Sequence, residues 1–474
     1  MSISTGSSET ENISNSEKVN RLSLVVVALL LPALLALCAV VPPFQSPDEV
    51  DHFKRGYMLS RGQLTLHPFG PYDSGGMIDA SVEALIAVYS NLPGNREARV
   101  DSKDRLKANS VMWTGHEIFS TAPGTSYYFP IIYLPSAAGV LLGKATSASV
   151  LKAYYYSRIF SILAFVSILW LSFRIYSPPP LTLAILGLPI TLFQAISTSI
   201  DGLALALMVL ACSIFAHAMK GGALNGRCTT LLLGSCLIVA TSRPHMLCLL
   251  LLPFLIPRAR VQKPRVLLGG ALATMLLAVI WLAIALTITV DTRVKRSIST
   301  ADSIKYYFFH PLTFLDLVSK TVDVHSYNLW TGFVGYLGWL DTPLQDIVYY
   351  MWLITLCAVG MITLLWFLRC LIKTKSKHAV TVQFTIFVFV AVSAALLVFF
   401  LLLCTWTSSF PTALIEGVQG RYFSLPALAL AYAIAVQLLA TPKWLRLSLE
   451  ILLLTAAGIS LIAMTETLIS RYYI

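Results

Sequence analysis

YYFPIIYLPSAAGVLLG, residues 127–143, decides how this chain is threaded. The stretch is apolar enough to be counted as a membrane crossing. Counting it would reverse the direction of every later crossing. It would place the basic clusters outside, whereas the tyrosines and prolines of this stretch suit a position near the headgroups. We therefore read 127–143 as an interfacial or half-inserted helix, and the rest of the chain tests that choice by its charges.

The chain has 474 residues, of which 57% are hydrophobic and only 12% charged, with a mean hydropathy of +0.75. A soluble protein of this length needs far more charged surface. Apolar runs long enough for a bilayer core of roughly 30 Å recur along it. The expected fold is an all-α integral membrane bundle of about eleven crossings, at 22–41, 154–174, 180–197, 201–219, 229–242, 245–257, 266–290, 347–368, 382–404, 422–440 and 447–466. With the N-terminus cytoplasmic, the inside connections hold Arg174; Lys220 and Arg227; Arg258, Arg260, Lys263 and Arg265; Arg369, Lys373, Lys375 and Lys377; Lys443 and Arg446. None of these connections contains an acid, and one orientation satisfies all of them. The net charge of +11 is thus explained by topology and not by nucleic acid.

The divisions follow. Residues 1–17 are rich in Ser, Thr, Glu and Asn and are expected to be a disordered cytoplasmic tail. Residues 18–290 form a transmembrane module that includes an extracytoplasmic loop at 42–126. Residues 291–346 form a second extracytoplasmic loop, with an ordered Gly- and aromatic-rich turn at 332–343, and 347–474 supply the remaining helices. The pair 229–242 and 245–257 is short and hinged at Arg243-Pro244, as expected where helices line a protein-enclosed cavity. Eight cysteines lie in or beside the apolar runs with no zinc spacing and no disulfide framework. No Walker motif, dinucleotide fingerprint or HExxH is present, which argues against an ATP- or nucleotide-sugar-driven enzyme.

Two places carry candidate chemistry. Ser46-Pro47-Asp48-Glu49-Val50-Asp51-His52-Phe53-Lys54-Arg55 follows the first crossing at once. Ser46 and Glu49 have the spacing of a capping box, with Pro47 suited to the first helical turn. On a helix, Asp48, Asp51, His52 and Arg55 would share one face, a carboxylate cluster able to take a proton from a hydroxyl or bind a divalent cation. Asp201 is the sole acid between 127 and 290 and sits at the outer end of two crossings. It is either a helix cap after Ser199 or a residue facing a cavity. Arg158, Arg243, His245 and Arg421 lie at the same level. Singly they read as snorkelling residues. Together they suit a phosphate at headgroup depth.

These pieces carry a resemblance. QSPDEVDH at 45–52, FQAISTSID at 193–201, GYLGWLD at 335–341 and GVQGRYF at 417–423 occur in a consistent order over about 40–425. The chain resembles the GT-C superfamily of membrane glycosyltransferases. Within it, the chain looks closest to a largely uncharacterised bacterial family of predicted polytopic membrane proteins. The resemblance implies interfacial helices in the first loop and an inverting sugar transfer from a polyprenyl-phosphate donor. The acceptor would be an envelope glycan, lipid or protein on the outer side of the bacterial inner membrane. It implies Asp48 as general base, with Glu49 and His52 orienting the acceptor and Asp201 as second acid. Arg243 falls near where related enzymes place a phosphate-binding lysine. Arg55, Arg158, His245, Asp341, Arg421 and Tyr422 complete the expected phosphate and substrate contacts. No cofactor is required by the sequence, and a divalent cation is allowed for. Two rival readings stand beside this one: a transporter or flippase of a lipid-linked saccharide or polysaccharide, and an oligosaccharide polymerase or ligase.

Overall fold

The computed structural model describes residues 24–373, 377–435 and 441–474. The tail 1–17, Lys18 and Arg21 lie outside the described residues. The chain is mostly helical. Among the described residues, six helices are long and apolar enough to cross a membrane: Val150–Ile175, Asp201–Met219, Pro264–Ile288, Asp346–Ile372, Ala379–Thr405 and Lys443–Tyr472. Most of the apolar surface of Asp201–Met219 is buried, 89% of its central window against 28–44% for the other five. It is the pillar of the bundle, and the others keep broad apolar faces outward, as lipid-facing helices do.

The remaining expected crossings take other forms. Residues 180–197 do not make one helix. Pro180–Leu186 and Pro189–Ala195 are separate seven-residue helices broken at Gly187–Leu188, each started by its proline. The first described helix, Leu24–Val40, and Gly226–Ser242 are shorter than the six. Residues 244–255 form a 3-10 helix kinked at Met246, directly after the break at Arg243. Ser424–Ala433 is a ten-residue helix, and 436–440 fall outside the described residues. Short and broken pieces of this kind are tolerated where protein, not lipid, surrounds the freed backbone groups.

Residues 127–143 resolve into a 3-10 turn, Pro130–Tyr133, and a twelve-residue helix, Leu134–Ala145. That helix is roughly 18 Å long at 1.5 Å per residue, short of a hydrocarbon core. A Cβ at Gly139 would overlap the backbone of Ser157, and one at Gly143 would overlap Ala153. The two glycines, four apart, let Leu134–Ala145 lie backbone to backbone on Val150–Ile175.

Two expected loops are more ordered than a loop. Residues 42–126 contain the helices Glu49–Ser60, Ala80–Tyr89 and Ser102–Ser110 and also a three-stranded antiparallel sheet of His67–Phe69, Tyr72–Asp79 and Glu117–Thr121. The sheet was not expected; its central strand reads weakly because it carries Gly75 and Gly76. Residues 291–346 are not a loop but hold helices Thr300–Phe309 and Pro311–Gly335, followed by a hairpin pairing Tyr336–Leu337 with Thr342–Pro343. Asp316, Lys320 and Asp323 lower the hydropathy of Pro311–Gly335 and hide a 25-residue helix from a search for apolar runs. Its last turns close on the 3-10 turn Gly420–Phe423, where a Cβ on Gly420 would overlap the Leu329 carbonyl and the Phe333 nitrogen. That close approach accounts for the glycines near 332 and 420.

Candidate functional site

Asp48 and Glu49 are neighbours with opposite fates. The helix starts at Glu49, and Asp48 precedes it with φ 61°, in the left-handed region. Aspartate tolerates that conformation better than most residues. The turn leading in is strained at Phe44, φ 66°, and is pinned from both sides. The Phe44 N–H donates to the Tyr154 hydroxyl at 3.0 Å, and Trp339 Nε1 donates to the Phe44 carbonyl at 2.8 Å. Only part of the expected capping box forms. Glu49 accepts the Ser46 N–H at 3.2 Å, while the Ser46 hydroxyl caps nothing.

Glu49 belongs to a closed, dry pair. Arg158 donates Nε to Glu49 Oε1 at 3.0 Å and Nη2 to Oε2 at 2.9 Å, and both side chains are 0% exposed. The same guanidinium donates to the carbonyls of Val41 and Pro42 at 2.8 and 3.1 Å. The Glu49 carboxylate also accepts the Thr198 N–H at 3.0 Å, three residues before Asp201. One ion pair therefore ties the end of the first helix, the Asp48 turn and the approach to Asp201 together. Glu49 and Arg158, expected to touch substrate, are instead bonded to each other and to backbone inside the fold.

Arg55 and Asp341 also have partners within the fold. Arg55 is buried and donates to the carbonyls of Gln63 and Leu64 at 2.8 and 2.6 Å, closing the end of its own helix. It does not share a working face with Asp48. Asp51 turns instead to Lys54, at 3.2 Å. Asp341 accepts from the Gly94 N–H at 2.9 Å and from Arg471 at 3.3 Å, fastening the hairpin to the C-terminal helix.

The other expected residues converge. Asp201 opens the central helix, where the positive helix end favours a carboxylate. It is not a cap: it accepts from Gln194 at 3.2 Å and forms ion pairs with Arg243 and, at 3.5 Å, with Arg421. Arg421 reaches Asp48 with its other terminal nitrogen, at 3.1 Å. It is held by Gln419 at 2.7 Å. Arg243 occupies the non-helical break between Gly226–Ser242 and Pro244–Leu255, so the hinge read from Arg243-Pro244 is what delivers its side chain. The order of contact is Asp48, Arg421, Asp201, Arg243, drawn from four segments. His245 and Tyr422 line the same small pocket, which has room for about one water as it stands. His245 Nε2 and the Ser424 hydroxyl have no protein hydrogen-bond partner there among the described residues.

His52 lies behind Asp48. Its Nδ1 is 2.7 Å from the Tyr133 hydroxyl, and its ring stacks on Tyr128 at 6.1 Å. Burial pushes its imidazole down to about 3, so it stays neutral at physiological pH. For Asp48, desolvation opposes the charge, but the Arg421 guanidinium prevails and holds the carboxyl below its ordinary range. Half of the Asp48 side chain is exposed, 52%, against 12% for Asp201. Two carboxylates and two guanidiniums balance formally, and the exposed edge is that of Asp48.

Tyr128 is a residue the sequence reading placed only in the interfacial stretch. The Arg243 guanidinium sits 5.5 Å from its ring, a cation–π distance. Gln194 and Gln419 fell inside quoted segments but carried no role, because an amide has no charge to draw attention. Among the described residues, no group of three or more His, Cys, Asp or Glu is placed to hold a metal ion.

No curated protein and no solved structure matches the chain. A family match covers residues 30–431, from the first helix to beyond Arg421. With its long apolar helices and its buried charge cluster at their ends, the chain belongs to the family described as "Predicted membrane protein (DUF2142)".

Proposed function

We propose that the protein is an inverting glycosyltransferase. It takes a sugar from a polyprenyl-phosphate donor and passes it to an envelope glycan, lipid or protein. The site faces the outer side of a bacterial cytoplasmic membrane, with the N-terminus inside. The supporting observation is the convergence of Asp48, Arg421, Asp201 and Arg243 at the ends of the membrane helices. A lipid-borne phosphate requires cations at that depth, and the motif resemblance points the same way.

The chemistry follows from the charges. Two arginines, each already facing a carboxylate, are suited to take over the oxygens of a phosphate. As the anomeric C–O bond breaks, the electron pair leaves with the phosphate, and the growing charge is stabilised by Arg243 and Arg421. The acceptor oxygen forms the new bond to the anomeric carbon from the opposite face, and its proton passes to Asp48. In the resting pair Arg421 keeps Asp48 a weak base. Once phosphate draws Arg421 away, the carboxylate loses that stabilisation and its proton affinity rises. Donor binding thus activates the base. Asp201 holds the two arginines apart, His52 and Tyr133 back the Asp48 turn, and His245 and Tyr422 offer the remaining contacts.

The test is sugar transfer by purified protein in detergent, where transport cannot operate. Asp48→Asn is expected to abolish transfer while insertion and melting stay as in the parent. Normal transfer by that variant removes Asp48 as the base.

A further inference from the structure

Helices Thr300–Phe309 and Pro311–Gly335 meet in a sharp elbow at His310. At its tip Phe308 is 72% exposed, Phe309 68% and Leu312 79%. On the second helix Leu315 and Val322, seven apart on one face, continue the exposed apolar surface beside Asp316, Lys320 and Asp323. A tip this apolar is unusual for a surface facing only water.

The underside of the elbow is fixed to the end of one membrane helix. The Ser297 N–H donates to the Ser408 carbonyl at 2.9 Å, just beyond Ala379–Thr405. Phe314 packs edge-on to Phe400 at 5.5 Å, and Tyr307, Phe314 and Leu317 share a buried cluster with Phe399 and Leu403. The segment leaves Pro264–Ile288 shortly before, where Leu286 is 66% exposed. The apolar tip therefore stands beside the last two turns of Ala379–Thr405. Lys305 and His310 flank it. Aromatic side chains with adjacent cations at the end of a crossing have the character of an interfacial anchor.

We propose that this elbow is seated in the bilayer, with Phe308, Phe309, Leu312 and Leu315 in the boundary between headgroups and acyl chains. Its covering is lipid, because the elbow packs on the last two turns of Ala379–Thr405, a helix long and apolar enough to cross the membrane, which sets the exposed Phe308, Phe309 and Leu312 beside the end of a crossing. The far end of Pro311–Gly335 packs on Gly420, beside Arg421, so the helix joins the anchor to the site. The inference needs only a membrane protein and stands apart from sugar transfer.

The experiment uses the full chain in vesicles of phosphatidylcholine and phosphatidylglycerol containing a photoactivatable diazirine phospholipid, with labelled peptides mapped by mass spectrometry. Peptides covering 300–315 are expected to take label comparably to peptides from Pro264–Ile288. Label on Pro264–Ile288 with none on 300–315 overturns the proposal. So does a protein cross-linker that joins 300–315 of two copies while lipid label is absent there, since a second copy would then be the cover. The double variant Phe308→Ser, Phe309→Ser is expected to lose most label from 300–315, with label on Pro264–Ile288 and the melting temperature unchanged. Unchanged label on 300–315 in a folded double variant also overturns it.

Discussion

Two acid–arginine assemblies begin one residue apart, and they are built for different ends. Glu49 and Arg158 are wholly buried, and each side-chain nitrogen and carboxylate oxygen has a backbone or charged partner. Asp48, Asp201, Arg243 and Arg421 make fewer bonds, and Asp48 keeps half its side chain open. A saturated pair cannot accept a ligand without losing bonds that hold the fold. An unsaturated one can exchange a carboxylate for a phosphate at little cost. On the proposed reading the same two residue types serve as a rivet and as a socket, and surrounding bonds, not charge, separate the roles.

The sharpest way to break that contrast is to unpair the rivet. Arg158→Met leaves the Glu49 carboxylate buried without its cation, and the expected loss is about 3–5 kcal/mol. It reads out as a large fall in melting temperature in detergent, or as protein that fails to accumulate. A variant as stable as the parent would show that Glu49 and Arg158 are not the keystone. Gly420→Ala should come next, at about 1–3 kcal/mol, because the added methyl meets backbone of the Pro311–Gly335 helix and not a movable side chain. Its melting temperature should fall, and unchanged melting would show that the helix yields.

His52 sharpens the comparison through pH. Its ordinary value of 6.5 is lowered to about 3 in the fold. Between those values the unfolded chain binds a proton that the folded chain does not, so stability rises with pH across this window. The contribution is full above 6.5 and is lost as pH falls toward 3. Thermal melting from pH 7 down to 4 should decline less steeply in His52→Gln than in the parent; identical slopes would remove His52 as a source of the acid sensitivity. The smallest stability effect belongs to the socket. Asp48→Asn removes a half-exposed partner of Arg421, worth about 0–1 kcal/mol. A melting shift as large as that of Arg158→Met would show that the two assemblies are not different in kind.

Several features were legible before any coordinates. The break at Arg243-Pro244 follows from a proline inside an apolar run, and it does interrupt the helix there. Asp201 stood out because an acid alone in a long apolar region needs a partner. The internal partners of Arg55, Arg158, Glu49 and Asp341 were not legible, because a charge at the right depth looks the same whether its bonds are free or filled. The sheet in 67–121 and the helix Pro311–Gly335 were not legible because their patterns are mixed with glycines or charges.

The sequence by itself determined that this is a membrane protein, where most of its long apolar helices run, and which few charges lie near their ends. Those are local properties, set by hydropathy, proline and periodicity along neighbouring residues. Only the tertiary structure decided which charges meet. Arg421 and Asp48 are 373 positions apart, and Arg158 and Glu49 are 109 apart. Whether two such groups touch, and whether anything is left over to bind a ligand, depends on how the helices pack. Packing is a property of the whole chain and is written in no single stretch of it.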